Sequence, residues 1–183
     1  VRAVTSSLRK IAIAILLSLP VCAGAAELAE YQIKAEFIER FTRFVEWPAG
    51  SIHAPNDPFV IGIIGRDPFG AYLDTIARNR TIKGRTILIR RLASTDGIGS
   101  CHILFVAASE KGRFGEIVAR ARTAPVLTIA DTPGALSSGV MINLYEADNK
   151  VRFEINERQL EQAGFQASAQ LLKLARSGSP GGR

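Results

Sequence analysis

Between residues 28 and 47 the apolar side chains recur at the helical period. Leu28, Tyr31, Ile33, Ala35, Phe37, Ile38, Phe41, Phe44 and Val45 gather on one side of a helix. Glu36 with Arg40 and Glu39 with Arg43 are i,i+4 pairs for the other side. Trp47-Pro48 is the expected stop, because the residue before proline is pushed out of the α region. The arc covers about 200°, wider than a surface helix needs, so the helix is covered either by its own chain from two directions or partly by another chain. Lys34 falls inside the arc; its stem packs and its ammonium reaches an edge or a partner carboxylate.

After this helix the period alternates. Phe59 to Gly65 is a continuous apolar strand of the kind buried on both faces. Asp67-Pro68 opens a helix to about Arg78, with Asp67 as N-cap and Pro68 at the first helical position. Thr86 to Arg91 is a second strand, Ala93 to Gly99 a loop, and Cys101 to Ala107 a third strand. Ser109 caps a helix to about Arg122, Val126 to Ala130 is a fourth strand, and Asp131 to Gly139 is turn-rich. Val140 to Glu146 and Val151 to Ile155 form a hairpin through Asp148-Asn149, residues that tolerate the left-handed backbone of a tight turn. Asn156 caps a helix that stops near Gly164, and Ser168 to Arg176 is a last helical segment. The pattern predicts a three-layer α/β/α sandwich: a mainly parallel sheet with a late antiparallel hairpin, in one domain over residues 26–176. Residues 177–183 read as a disordered tail.

The first residues change the setting. Arg2, Arg9 and Lys10 precede an apolar run, Ile11 to Leu19, that is too short to cross a bilayer. Pro20 and the small residues Ala23, Gly24, Ala25 and Ala26 follow. This order is that of a cleaved secretory signal peptide over residues 1–25, with the cut after Ala25 or Ala26, and it places the mature chain in a bacterial periplasm. The whole chain has 23 basic residues against 17 acidic, a net +6; loss of the three leader cations lowers this to +3. Nothing in it resembles a nucleic-acid-binding stripe. Cys22 leaves with the leader, and Cys101 remains as a buried, inert thiol or one that pairs with another chain.

Catalytic chemistry is sparse. His53 lies in a loop beside Pro55 and Pro58; His102 adjoins Cys101 in a strand, so Cys101 and His102 face opposite sides and cannot grip one metal ion. No C-x-x-C, H-E-x-x-H or G-x-S-x-G occurs. Gly65 to Gly70 lacks the Lys-Ser/Thr of a phosphate loop, and Asp67 would repel phosphate. The chain reads as a non-enzyme with no cofactor and no metal. Open α/β sheets bind ligands beyond the carboxyl ends of their strands, which here carry Asp67, Ser109, Glu110 and Asp131 as candidate ligand loops. Tyr31, Lys34, Phe37, Phe41, Phe44 and Trp47 are the candidate partner-binding residues of the first helix.

Several segments together resemble the YfiR-like family. They are Lys34 to Ile38 with Phe41 and Phe44 to Pro48, then Ile61 to Gly65 with Asp67 to Gly70, then Gly84-Arg85. Cys101 to Phe105 with Ser109-Glu110, Pro125 to Thr128, Asp131, Gly139, Met141-Ile142, Val151 to Asn156 and Ser168 to Arg176 follow in order. The resemblance implies a small periplasmic α/β protein that represses an inner-membrane diguanylate cyclase by binding its periplasmic part, lowering cyclic-di-GMP and hence biofilm formation. It implies relief of repression by an outer-membrane peptidoglycan-binding lipoprotein. It implies no catalytic residues. The additional cysteines of some relatives are not found here. A homodimer is a further expectation for the first helix. The alternative is a periplasmic sensor domain that binds a small molecule and feeds another signalling system.

Overall fold

The computed structural model describes residues 21–52 and 56–177. Residues 1–20 of the predicted 1–25 leader, residues 53–55 with His53, and residues 178–183 of the predicted tail lie outside the described residues. Helix α1 spans Val21–Phe44 and is followed by a two-residue strand, β1, Val45–Glu46. Strand β2 (Phe59–Ile64) leads to helix α2 (Ala71–Asn79), then to β3 (Thr81–Ile82) and β4 (Arg85–Leu92). Next come β5 (Ile103–Val106), helix α3 (Phe114–Ala121), β6 (Leu127–Ala130), and the hairpin β7 (Ile142–Ala147) and β8 (Lys150–Ile155). The chain closes with helix α4 (Glu157–Gln162), β9 (Gln166–Ala167), helix α5 (Ala169–Leu174) and β10 (Arg176–Ser177).

Strands β2, β4, β5, β6 and β7 are parallel, in the spatial order β4-β2-β5-β6-β7. Antiparallel β8 and β3 flank them, and β10 extends the β8 side. Strand β2 shows why the sheet is buried. Its six residues are all buried, and alternate side chains leave on opposite faces. Phe59, Ile61 and Ile63 join one core, against α1, α2, α4 and α5. Val60 and Ile64 join a second core, under α3 and the 3₁₀ turns Thr95–Ser100 and Leu136–Ser138. The chain is thus the expected three-layer α/β/α sandwich, with a thinner second helical layer.

Several local expectations are corrected. Helix α1 ends at Phe44 rather than at Trp47. The Phe44 carbonyl accepts the Ser168 N–H at 2.8 Å, and Val45–Glu46 pairs with Gln166–Ala167, so the backbone is already extended before Pro48 acts. Leu28 and Ile33 do not join the covered arc; they are 56% and 49% exposed. Glu36 pairs with Arg80 at 2.8 Å instead of Arg40, and Glu39 is buried between Arg43 and Arg80. Asp67 is not an N-cap. Gly70, at φ 54°, turns the chain into α2, and Asp67 closes the preceding turn by accepting the Phe69 N–H at 2.8 Å. Ser109 is not an N-cap either. It sits in a 3₁₀ turn, Ala108–Arg113, and α3 begins only at Phe114. The loop expected at 93–99 contains the 3₁₀ turn Thr95–Ser100, and Ser177 is in β10 rather than the tail.

Candidate functional site

The parallel strand order reverses between β2 and β5: the chain goes from β2 outward to β4, then returns to the other side of β2. A crevice at the carboxyl ends of those strands is where open α/β sheets take ligands. Here the chain fills it. Gly65 has φ 93°, and a Cβ placed on it would lie 2.5 Å from Ser109 Oγ and 2.7 Å from Glu110 Cγ. The Arg66 N–H donates to Ser109 Oγ at 2.9 Å, closing the two loops on each other. Asp67 Oδ2 receives Arg91 Nε at 2.8 Å, and Glu110 receives Arg113 at 3.2 Å. Three of the four predicted ligand-loop residues are therefore engaged with their own neighbourhood.

Asp131 stands elsewhere, just past β6, and its side chain is 2% exposed. It meets Lys34, which α1 brings across the sheet end; the Nζ to Oδ2 distance is 2.8 Å. The same ammonium lies 2.6 Å from Glu30, one turn earlier on α1, and 4.3 Å from the centre of the Tyr31 ring. Lys34 is itself 4% exposed, so a charge removed from water is compensated by two carboxylates and a ring face. Burial, and next the Asp131 charge, push the Tyr31 phenol well above the ordinary tyrosine range. Beside them the Thr132 N–H donates to Asn143 Oδ1 at 3.1 Å, and Asn143 Nδ2 donates to Glu154 at 3.1 Å. Sequence reasoning missed Glu30, Asn143 and Glu154. Glu30 was legible as the i−4 partner of Lys34, and Asn143 as the polar residue inside an apolar strand.

The aromatic residues predicted for a partner pack largely on their own chain. Phe41 is buried, and Phe37 lies 6.0 Å from it and 5.7 Å from Phe153, ring centre to ring centre. Tyr31 meets Phe69 edge-on at 5.7 Å. Trp47 meets Phe59 and Phe165 edge-on and donates Nε1–H to the His102 carbonyl at 3.3 Å. Tyr31, Phe37, Phe44 and Trp47 each stay partly accessible. What α1 presents outward is Leu28 and Ile33.

Cys101 and His102 separate as their alternation requires. Cys101 joins the second core, where burial raises its thiol pKa. His102 stacks on Phe59 at 4.6 Å and accepts the Val60 N–H on Nδ1 at 2.9 Å. Among the described residues no three His, Cys, Asp or Glu side chains are placed to hold a metal ion.

Residues 31–176 match the model of a family described as YfiR/HmsC-like. Among solved structures, a conserved domain protein from Vibrio cholerae O1 biovar El Tor is similar, with a TM-score of 0.55 and 11% identity over 80% of this chain and 59% of that one. An ABC domain from Streptococcus pneumoniae, solved in complex with L-Trp, is similar with a TM-score of 0.54 and 13% identity over 81% of this chain and 60% of that one. At these identities the likeness is one of fold, and this chain spans about three fifths of each neighbour. The chain matches no curated protein.

Proposed function

The chain belongs to the YfiR/HmsC-like family, and on that footing we propose that it restrains an inner-membrane diguanylate cyclase by binding the cyclase's periplasmic part. Membership implies a periplasmic regulator of diguanylate cyclase signalling. The family match over residues 31–176 is the observation that carries the reading. The closed crevice between β2 and β5 supports a protein that acts by contact, because the usual ligand position of the fold is occupied by Ser109 and Glu110. The contact surface is α1: Leu28 and Ile33 with the accessible flanks of Tyr31, Phe37 and Phe44. An outer-membrane peptidoglycan-binding lipoprotein that sequesters the repressor, and self-association through α1, complete the proposal.

The test is cyclic-di-GMP content in the producing cell. Deleting the gene raises it, and supplying the exported chain in trans brings it back down. Equal cyclic-di-GMP with and without the chain would overturn the proposal.

A further inference from the structure

Strand β4 is the edge of the sheet over most of its length. Its outer neighbour, β3, is two residues long and pairs only with Arg85 and Thr86. The turn between them, Lys83-Gly84, has φ 51° and 75°, the positive values of a two-residue hairpin, whose flanking residues exchange both backbone hydrogen bonds. The backbone of Arg85 therefore faces β3, and at the strand period those of Ile87, Ile89 and Arg91 face the same way. Beyond Thr86 no strand stands on that side among the described residues. Leu88 leaves on the sheet face that lacks a helix over β4 and is 41% exposed. Open strand groups beside an exposed leucine are a template for another strand.

Charge decides what kind of strand fits. Between residues 75 and 95 the chain carries six cations, Arg78, Arg80, Lys83, Arg85, Arg90 and Arg91, and no acidic residue. Arg80 is met by Glu36, and Arg91 by Asp67 and Asp74. Arg78 donates to Thr75, Arg90 to Ser100, and Lys83 lies over the Trp47 ring; among the described residues none of these three forms an ion pair. A second copy of this edge would bring the same cations against themselves. A lipid surface would meet the cations but leave the hydrogen-bonding groups of the strand unused.

We propose that the outer edge of β4 receives an extended, acidic segment of another protein. The segment adds a strand beside Ile87, Ile89 and Arg91, covers Leu88 with an apolar side chain and sets its carboxylates against Arg78 and Arg90. Backbone pairing supplies the affinity, and the cations select the partner. The inference goes beyond the regulatory reading. It uses neither Leu28 nor Ile33, and the isolated chain tests it, so its failure leaves the cyclase contact standing.

The experiment is a titration of the purified full chain, labelled with 15N, by a short capped peptide that alternates glutamate with valine. Three further probes separate the sources of binding: the same peptide with lysine for glutamate, the same peptide with its backbone N-methylated throughout, and phosphatidylglycerol vesicles. The expected result is saturable binding of the first peptide alone, with amide exchange at Ile87, Ile89 and Arg91 slowed about tenfold or more at saturation. Leu88→Glu, at an exposed position, lowers the affinity severalfold while the urea melt stays unchanged. Arg78→Glu, on the exposed side of α2, does the same. The proposal is overturned by shifts that never saturate, by equal binding of any of the three further probes, or by wild-type affinity in either variant whose melt is unchanged.

Discussion

At the residue scale, two close fits decide what can be changed. Gly62 sits in the middle of β2, where a side chain would normally strengthen a strand. A Cβ there would lie 2.6 Å from Cys101 Sγ and 3.3 Å from Leu104 Cδ1. The cysteine sulfur occupies the volume that the glycine leaves. Gly62→Ala should cost about 1–3 kcal/mol in a urea melt. The loss should shrink when Cys101→Ala is added, because only the Cys101 Cβ, at 3.4 Å, then remains of that neighbour. The thiol itself should resist labelling in the native state, since burial keeps it protonated at neutral pH. The second fit is Lys34 with Asp131. Lys34→Met leaves a buried carboxylate without its cation and should cost about 3–5 kcal/mol. Lys34→Met with Asp131→Leu should recover most of that, because the remaining pair is apolar. Lys34 was read from the sequence as an arc residue whose stem packs and whose ammonium reaches an edge or a partner carboxylate. One carboxylate, Glu30, is its i−4 neighbour; the other, Asp131, is 97 residues away in the same chain, a separation that no local pattern reports.

At the element scale, what was legible is what local physics determines. The hairpin between β7 and β8 turns at Asp148 and Asn149, with φ 54° and 55°, as the residue types required. Asn149→Val should cost about 1–2 kcal/mol, the penalty of a left-handed backbone for a branched side chain. Asn156 caps α4 by accepting the Gln159 N–H, as expected, and Ser168, read only as the start of a helical segment, caps α5 by accepting the Leu171 N–H. The failed caps, Asp67 and Ser109, share a cause: each oxygen found a stronger claim. Asp67 closes its own turn and holds Arg91, while Ser109 receives a backbone donor from a loop 43 residues away. Ion pairs between elements give the fold an acid limit. Arg80 beside Glu36 and Arg91 beside Asp74 hold both carboxyls below their ordinary values of 4.5 and 3.8. The unfolded chain then binds protons more readily than the folded one. The stabilisation is complete above those ordinary values and is lost as pH falls through the lower folded ones. A urea series from about pH 6 to about pH 3 should show this fall, and Arg91→Gln should make it shallower.

At the scale of the whole molecule, the alternating pattern revealed the layers but not their thickness. The sequence led to a helix in each layer, and the second core is covered mainly by α3 and 3₁₀ turns. Leu88 on β4 is left 41% exposed, because the β4–β5 connection is the turn Thr95–Ser100 rather than a helix that would lie over it. The breadth of α1 left open whether its own chain covers it from two directions or another chain covers part of it, and its period could not tell which residues the chain itself would cover. Tertiary packing by Phe69, Phe153 and Asp131 settled that, leaving Leu28 and Ile33 outward. The proposed contact with a cyclase therefore falls on those outward positions. Sedimentation velocity of the purified chain with the isolated periplasmic part of its diguanylate cyclase tests this most directly. A single complex at micromolar concentration, weakened at least tenfold by Ile33→Asp while the urea melt of that variant stays unchanged, is the expected result. Two species that sediment independently at tens of micromolar would contradict it.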